Sequence, residues 1–191
     1  MKKIAALILC ATLSFSALCA KENLFSFSAG LSSGFPIYGS NSVLSTGSEI
    51  ENGNRVIIGT NLSANLNIVK QVSFFIGNDI LWDLTWSPSE KSNKMHVTFP
   101  LGLKVYPGLG GLNLGLAYTL GFRSDNFNTK KLKDKNVMSP WGNGFKFSME
   151  YNFAHEGKSR FLPSIGGYWN CMPRGNNSYD NLIVLYVAAN F

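Results

Sequence analysis

Residues 182–191 read LIVLYVAANF, a run of β-branched, aliphatic and aromatic side chains of the kind that favours strands. Counting back from Phe191 in twos reaches Ala189, Val187, Leu185 and Ile183. Side chains on a strand alternate between its two faces, so these residues share one face and form an apolar stripe that ends in an aromatic ring. A strand edge of this kind needs charges or a covering segment unless it is paired. Neither is present here, so the segment reads as the closing strand of a barrel, which has no edge left to protect.

The same alternation recurs upstream. RVIIGTNLSANLNIV places Val56, Ile58, Leu62, Ala64, Leu66 and Ile68 on one face, with Gly59, Asn61, Ser63, Asn65 and Asn67 on the other. VSFFIGNDILWDL sets Val72, Phe74, Ile76, Ile80, Trp82 and Leu84 against Ser73, Gly77, Asp79 and Asp83. MHVTFPLGLKVY, LNLGLAYTLGF, FKFSMEYNF and the early LFSFSAGLSSG behave alike. With FLPSIGGYWNC and the last segment this predicts eight strands and no long amphipathic helix. Pro163 removes a ladder donor from the seventh strand and predicts a bulge there, and Pro100 raises a smaller question of the same kind.

The first twenty residues, MKKIAALILCATLSFSALCA, carry two lysines, an apolar run and then small residues, the layout of a secretory signal peptide. The run is well short of the roughly 20 apolar residues of a transmembrane helix. Residues 1–20 are therefore expected to be removed after Cys19 or Ala20, leaving 21–191 as a single domain; lipidation at Cys19 is the minority alternative. Cys10 and Cys19 belong to the leader, so Cys171 has no intrachain partner. The formal charge of +6 loses Lys2 and Lys3, and 6 − 2 leaves +4, too weak and scattered to indicate nucleic acid.

Connections alternate in length. Those at 69–71, 107–111 and 155–160 are short, whereas 35–54, 85–94, 123–143 and 172–180 are long and polar. Short turns at one end and long loops at the other are the pattern of an up-and-down transmembrane barrel. Alternation alone leaves open whether the apolar face points inward, as in a secreted lipocalin-like ligand-binding barrel, or outward to lipid. A soluble surface carries about 25–35% charged residues, and this chain carries 15% in all. The apolar face lacks Asp, Glu, Lys and Arg in the seven clearly alternating strands; a lysine or arginine there costs about 2 to 4 kcal/mol near mid-membrane. Trp82, Trp86, Tyr106, Phe122, Trp141, Phe153, Trp169 and Phe191 lie near strand ends, as interfacial girdles do. The expected fold is all-β, an eight-stranded antiparallel up-and-down transmembrane β-barrel.

The terminal stretch resembles the C-terminal signature of bacterial outer-membrane barrel proteins, a final Phe with apolar residues at alternate positions. With the leader, strands and loops, nearly the whole chain resembles the small OmpA, OmpX, OmpW and opacity-protein type. The resemblance implies an outer-membrane location, contact with outer-membrane lipid, and recognition by the barrel-assembly machinery through Ile183, Leu185, Val187 and Phe191. Its function classes are a structural or adhesive surface barrel and a narrow OmpW-like pore.

On the inner face the candidate polar network is Asp79, Asp83, His96, Lys104, Arg123, Lys146 and Glu150. Asp83 is expected opposite His96, about a turn centred near residues 89 and 90, and Asp79 and Glu150 are expected to meet lumen cations. Such charges plug a narrow barrel or tune a gated pore. Some barrels of the resembled type modify lipid A with His, Ser and a carboxylate, but His96 has no evident serine nucleophile and His155 falls in a turn, so no enzyme activity is expected. No cofactor, phosphate-loop or metal-ligand spacing is present. TKKLKDK places Lys130, Lys131, Lys133 and Lys135 in the third long loop, a basic patch suited to anionic polysaccharide or a host surface ligand. FPIYGSNS, 35–42, is a second exposed loop candidate.

Overall fold

The computed structural model of the protein describes residues 24–39, 50, 53–153, 162–173 and 179–191; the leader at 1–20, Cys19 and His155 lie outside them. The strands are β1 (Phe25–Ile37), β2 (Asn54–Val69), β3 (Val72–Trp86), β4 (Lys91–Val105), β5 (Leu112–Asn128), β6 (Lys135–Met138), β7 (Gly142–Asn152), β8 (Leu162–Pro173) and β9 (Tyr179–Asn190). Each pairs antiparallel with its neighbour, and β1 pairs with both β2 and β9, so the sheet closes on itself. The short β6 and the longer β7 both pair with β5 and share one position in the wall, which makes the barrel eight-stranded. The stretch at 182–191 closes it: the Phe191 N–H donates to the Phe27 carbonyl at 2.8 Å, and the Phe27 N–H donates to the Phe191 carbonyl at 3.1 Å.

The apolar rows point outward. Phe35 is 72% exposed and Leu185 66%, and Ile58, Leu62, Ile76, Leu116, Phe147 and Ile183 share that face. The inner rows hold Ser32, Asn65, Ser73, Asn113, Thr119 and Asn170, all buried. This is the inverse of a soluble ligand-binding barrel, so the lipocalin-like alternative does not hold. Among the described residues no helix is long and apolar enough to cross a membrane, which says nothing about crossing by strands.

At the base of the barrel β2 and β3 are joined by Lys70 and Gln71 alone, and β4 and β5 by 106–111, where Gly108, Gly110 and Gly111 take up positive φ. The opposite end, the rim, departs from the sequence reading. The connections expected at 85–94 and 123–143 are mostly strand, leaving only 87–90 between β3 and β4 and 129–134 between β5 and β6. The ladder continues where the apolar alternation stops, because both faces of a strand that has left the membrane can be polar. A tilted strand crosses in about 9 to 11 residues, and β5 has 17. At about 3.3 Å per residue and a tilt near 40°, β5 rises roughly 40 Å through an apolar band about 25 Å tall. The β3–β6 side therefore stands about 15 Å clear of that band.

Two further readings are corrected. β8 keeps one register through Pro163, which pairs with Ala189, so the expected bulge is absent; the described bulge lies in β2 between Asn67 and Val69. The β3–β4 ladder does skip Gly77–Asn78 opposite Phe99–Pro100, with the same register on either side, since Pro100 offers no N–H. In that ladder Asp83 faces Lys94 and Leu81 faces His96. The turn is centred one residue earlier than the sequence suggested, which shifts each pairing by two and preserves the face.

Candidate functional site

Three layers fill the barrel. Nearest the base, Glu150 accepts hydrogen bonds from the Tyr186 hydroxyl at 2.8 Å and the Asn190 amide at 3.3 Å, with Lys104 Nζ 3.8 Å away. Tyr186 crosses the lumen because its neighbour on β8 is Gly166; a Cβ there would lie 2.5 Å from the phenol. One step up, Asp79 accepts from Lys146 Nζ at 2.5 Å and from Asn61 at 2.8 Å, and Lys146 lies 4.0 Å over the Tyr168 ring. The second layer is apolar: Leu81, Tyr168, Met172, Leu182 and Val184 form a buried cluster across the lumen between β3 and the β8–β9 wall. Periodicity hid this cluster, since Leu182 and Val184 lie in an almost uniformly apolar strand.

The third layer is at the rim. Asp83 accepts from Arg55 Nε at 2.8 Å and Nη2 at 2.9 Å, and from the Tyr38 hydroxyl. Arg123 donates to Asp180 at 2.8 Å and to Asp125, while the Gly39 N–H donates to the other Asp180 oxygen at 3.1 Å. The Tyr38 ring is held between cations, 4.1 Å from Lys94 Nζ and 5.1 Å from the Arg123 guanidinium, and it stacks on His96 with centroids 5.7 Å apart. Burial first, then the Asp83 carboxylate, raise the Tyr38 phenol above its ordinary pKa, which keeps the hydroxyl a donor. Tyr38 and Gly39 thus fasten the start of the first rim connection into the mouth.

Among the described residues, cations and carboxylates are matched in both ionic layers. Lys104 and Lys146 face Asp79 and Glu150 below the apolar cluster; Arg55, Lys94 and Arg123 face Asp83, Asp125 and Asp180 above it. The seven sequence-selected lumen residues are all buried, but they divide between the two layers. Sequence reading missed Tyr38, Arg55, Lys94, Asp125, Asp180 and Tyr186. Parity would have found Lys94, Asp125 and Asp180 had the strands been extended into the segments read as loops, and Arg55 already stood on the odd face of the RVIIG strand. Among the described residues neither ring nitrogen of His96 has a hydrogen-bond partner, and its ring stacks on Tyr38. Among the described residues no cluster of His, Cys, Asp and Glu could hold a metal ion.

Among the described residues the lumen opens at the base. A vestibule of about 820 Å³ reaches from the turns at 70–71 and 106–111 up to Lys104 and Glu150. Above it the space shrinks to about 30 Å³ around Asp79 and Lys146, room for a water molecule. Outside, at the tip of the raised wall, Lys130, Lys131, Lys133 and Lys135 are exposed and lie beside exposed Lys91, which pairs with Asn128 across the β4–β5 ladder. Glu90 Oε1 accepts the Lys130 backbone N–H at 2.8 Å and ties the two rim turns together.

The closed ladder, outward apolar rows and charged interior can now be set beside known proteins. Ail, the attachment invasion locus protein of Yersinia pestis, solved in complex with the heparin analogue sucrose octasulfate, superposes with a TM-score of 0.56 at 9% identity, over 87% of this chain and 97% of that one. Neisserial surface protein A superposes with a TM-score of 0.52 at 11% identity, over 88% and 98%. The fold is that of the small outer-membrane β-barrels. No protein-family model matches the chain, and no curated protein matches it in sequence. The outer-membrane barrel fold thus persists here at about a tenth identity, carried by face alternation and register rather than by particular residues.

Proposed function

We propose that this chain is an integral outer-membrane barrel whose interaction surface is the raised β3–β6 tip, and that the tip attaches to anionic polysaccharide. The observation that carries the reading is the lysine cluster: five exposed ammonium groups at 91, 130, 131, 133 and 135 against the two carboxylates Glu90 and Asp134, held together by paired strands above the apolar band. Grouped cations on a rigid support suit a repeating sulfate or carboxylate chain. The structure of Ail with a heparin analogue gives a precedent for that ligand chemistry on this fold. Export by the 1–20 leader and assembly through Ile183, Leu185, Val187 and Phe191, which lie together on the outward face, belong to the same proposal.

The pore reading is less favoured. Paired ionic layers and an apolar cluster narrow the lumen, among the described residues, to about 30 Å³ around Asp79 and Lys146, which supports a structural role for the network. The test is retention of the detergent-folded protein on immobilised heparin. The native chain elutes at raised salt, and replacing Lys130, Lys131, Lys133 and Lys135 by Gln moves elution to low salt without changing the folded gel mobility. Equal retention of native and substituted chains contradicts the proposal.

A further inference from the structure

The outward row of β3 runs Val72, Phe74, Ile76, Asn78, Ile80, Trp82, Leu84 and Trp86, apolar except at Asn78. Asn78 lies six residues above Val72 (78 − 72), about 20 Å along the strand and roughly 15 Å along the membrane normal, near the middle of an apolar band about 25 Å tall. Its side chain has no hydrogen-bond partner among the described residues. Some other outward polar groups do find one on the wall: Ser33 Oγ donates to the Ile57 carbonyl at 2.7 Å, Asn143 to the Tyr118 hydroxyl at 2.7 Å, and Trp169 to Asn181 at 3.0 Å.

Acyl chains offer an amide nothing, water is excluded at that depth, and the backbone groups of the wall are spent in its ladders except at the break in the β3–β4 ladder beside Asn78, where no hydrogen bond joins them to its side chain. A partner at the same depth must therefore bring a side chain with both a donor and an acceptor. A second copy of this chain, standing parallel in the same membrane, brings Asn78 to the matching depth, and two amides related by a two-fold axis satisfy each other. The surface around Asn78 has the self-complementary relief such a contact needs. On one side is a groove of about 470 Å³ floored by Ala29, Ala64 and Gly77; on the other, β4 presents exposed Phe99 and Leu101 as a ridge. Small residues allow close approach of walls within a bilayer.

We propose that the protein forms a two-fold dimer in the membrane through the outward face of β1–β4, with the Asn78 amides paired at its centre and the Phe99–Leu101 ridge of each copy seated in the groove of the other. This rests on the membrane placement proposed above. The test uses the full chain recovered from cell membranes and reconstituted in phosphatidylcholine vesicles, with donor- and acceptor-labelled copies mixed over a range of protein-to-lipid ratios. Energy transfer rises to a plateau for the native chain. Asn78→Leu shifts the midpoint by about tenfold toward higher protein density, and Asn78→Gln holds within a few-fold of native. In a Cys171→Ser background, Asn78→Cys cross-links on oxidation, whereas Ile165→Cys, on the opposite wall, does not. A chain found only in the soluble fraction overturns the membrane placement and the dimer with it. An inserted chain that stays monomeric, or an Asn78→Leu chain that associates as natively, overturns the dimer alone.

Discussion

Replacing Lys146 by Met removes one half of the Asp79–Lys146 pair while nearly keeping its volume. Asp79 is 5% exposed and Lys146 8%, with oxygen and nitrogen 2.5 Å apart. At an effective dielectric of 20 the attraction is about 7 kcal/mol, and desolvation of the two ions cancels most of it. The pair therefore adds little net stability, but breaking it leaves Asp79 with the Asn61 amide as its hydrogen-bond partner and Lys104 as the remaining cation of the layer, at a cost of about 3 to 5 kcal/mol. Asp79→Asn with Lys146→Met exchanges both ions for neutral groups that the lumen tolerates, and the double variant should recover most of the loss. The assay is reversible urea unfolding in lipid vesicles, followed by tryptophan emission and by the gel shift between folded and heated forms. Two results refute the reasoning: a single Lys146→Met loss under about 1 kcal/mol, or a double variant as unstable as the sum of the single ones.

Gly166→Val puts branched carbon where the Tyr186 phenol lies, 2.5 Å from a Cβ at that site; unfolding experiments should show a loss of about 1 to 3 kcal/mol, and Tyr186→Phe in the same background should add little more. Leu81→Ala opens the apolar layer, with an expected loss of about 2 to 5 kcal/mol. Because the ionic layers on either side stay in place, planar-bilayer recordings of Leu81→Ala should remain without steady conductance. Tyr38→Phe deletes one donor to Asp83 while Arg55 keeps its two contacts, so a loss of about 1 to 2 kcal/mol is expected, together with faster proteolysis of the first rim connection.

How much of this could be read from residues alone depends on where the membrane ends. Ile58, Leu62, Ile76, Ile80 and Leu116 alternate with polar neighbours because one face meets lipid and the other a narrow lumen, and their outward placement was legible. Above the apolar band that contrast vanishes. Ser92, Asp125 and Phe127 are buried on the inner face, yet their segments look like polar loop, so the rim ion layer was only partly found. Register depends on turn length, which SPSEKS does not fix, and Asp83 accordingly met Lys94 in place of His96. Pro163 shows the opposite limit: a missing N–H on β8 was accommodated without a bulge. Asn78 was passed over in the sequence reading of the β3 row, between Ile76 and Ile80, and its meaning needed the outward groove beside it.

The central claim is that the even-numbered residues of β2 face lipid and the odd-numbered ones face a packed lumen. Single cysteines from Ile58 to Leu66, introduced with Cys171→Ser and carrying a fluorescent label in phosphatidylcholine vesicles, test it directly against a lipid-attached quencher. The account predicts strong quenching at 58, 60, 62, 64 and 66 and little at 59, 61, 63 and 65, in a chain whose unheated form migrates differently from the heated one. Quenching without a two-residue period, or with the odd positions favoured, contradicts it.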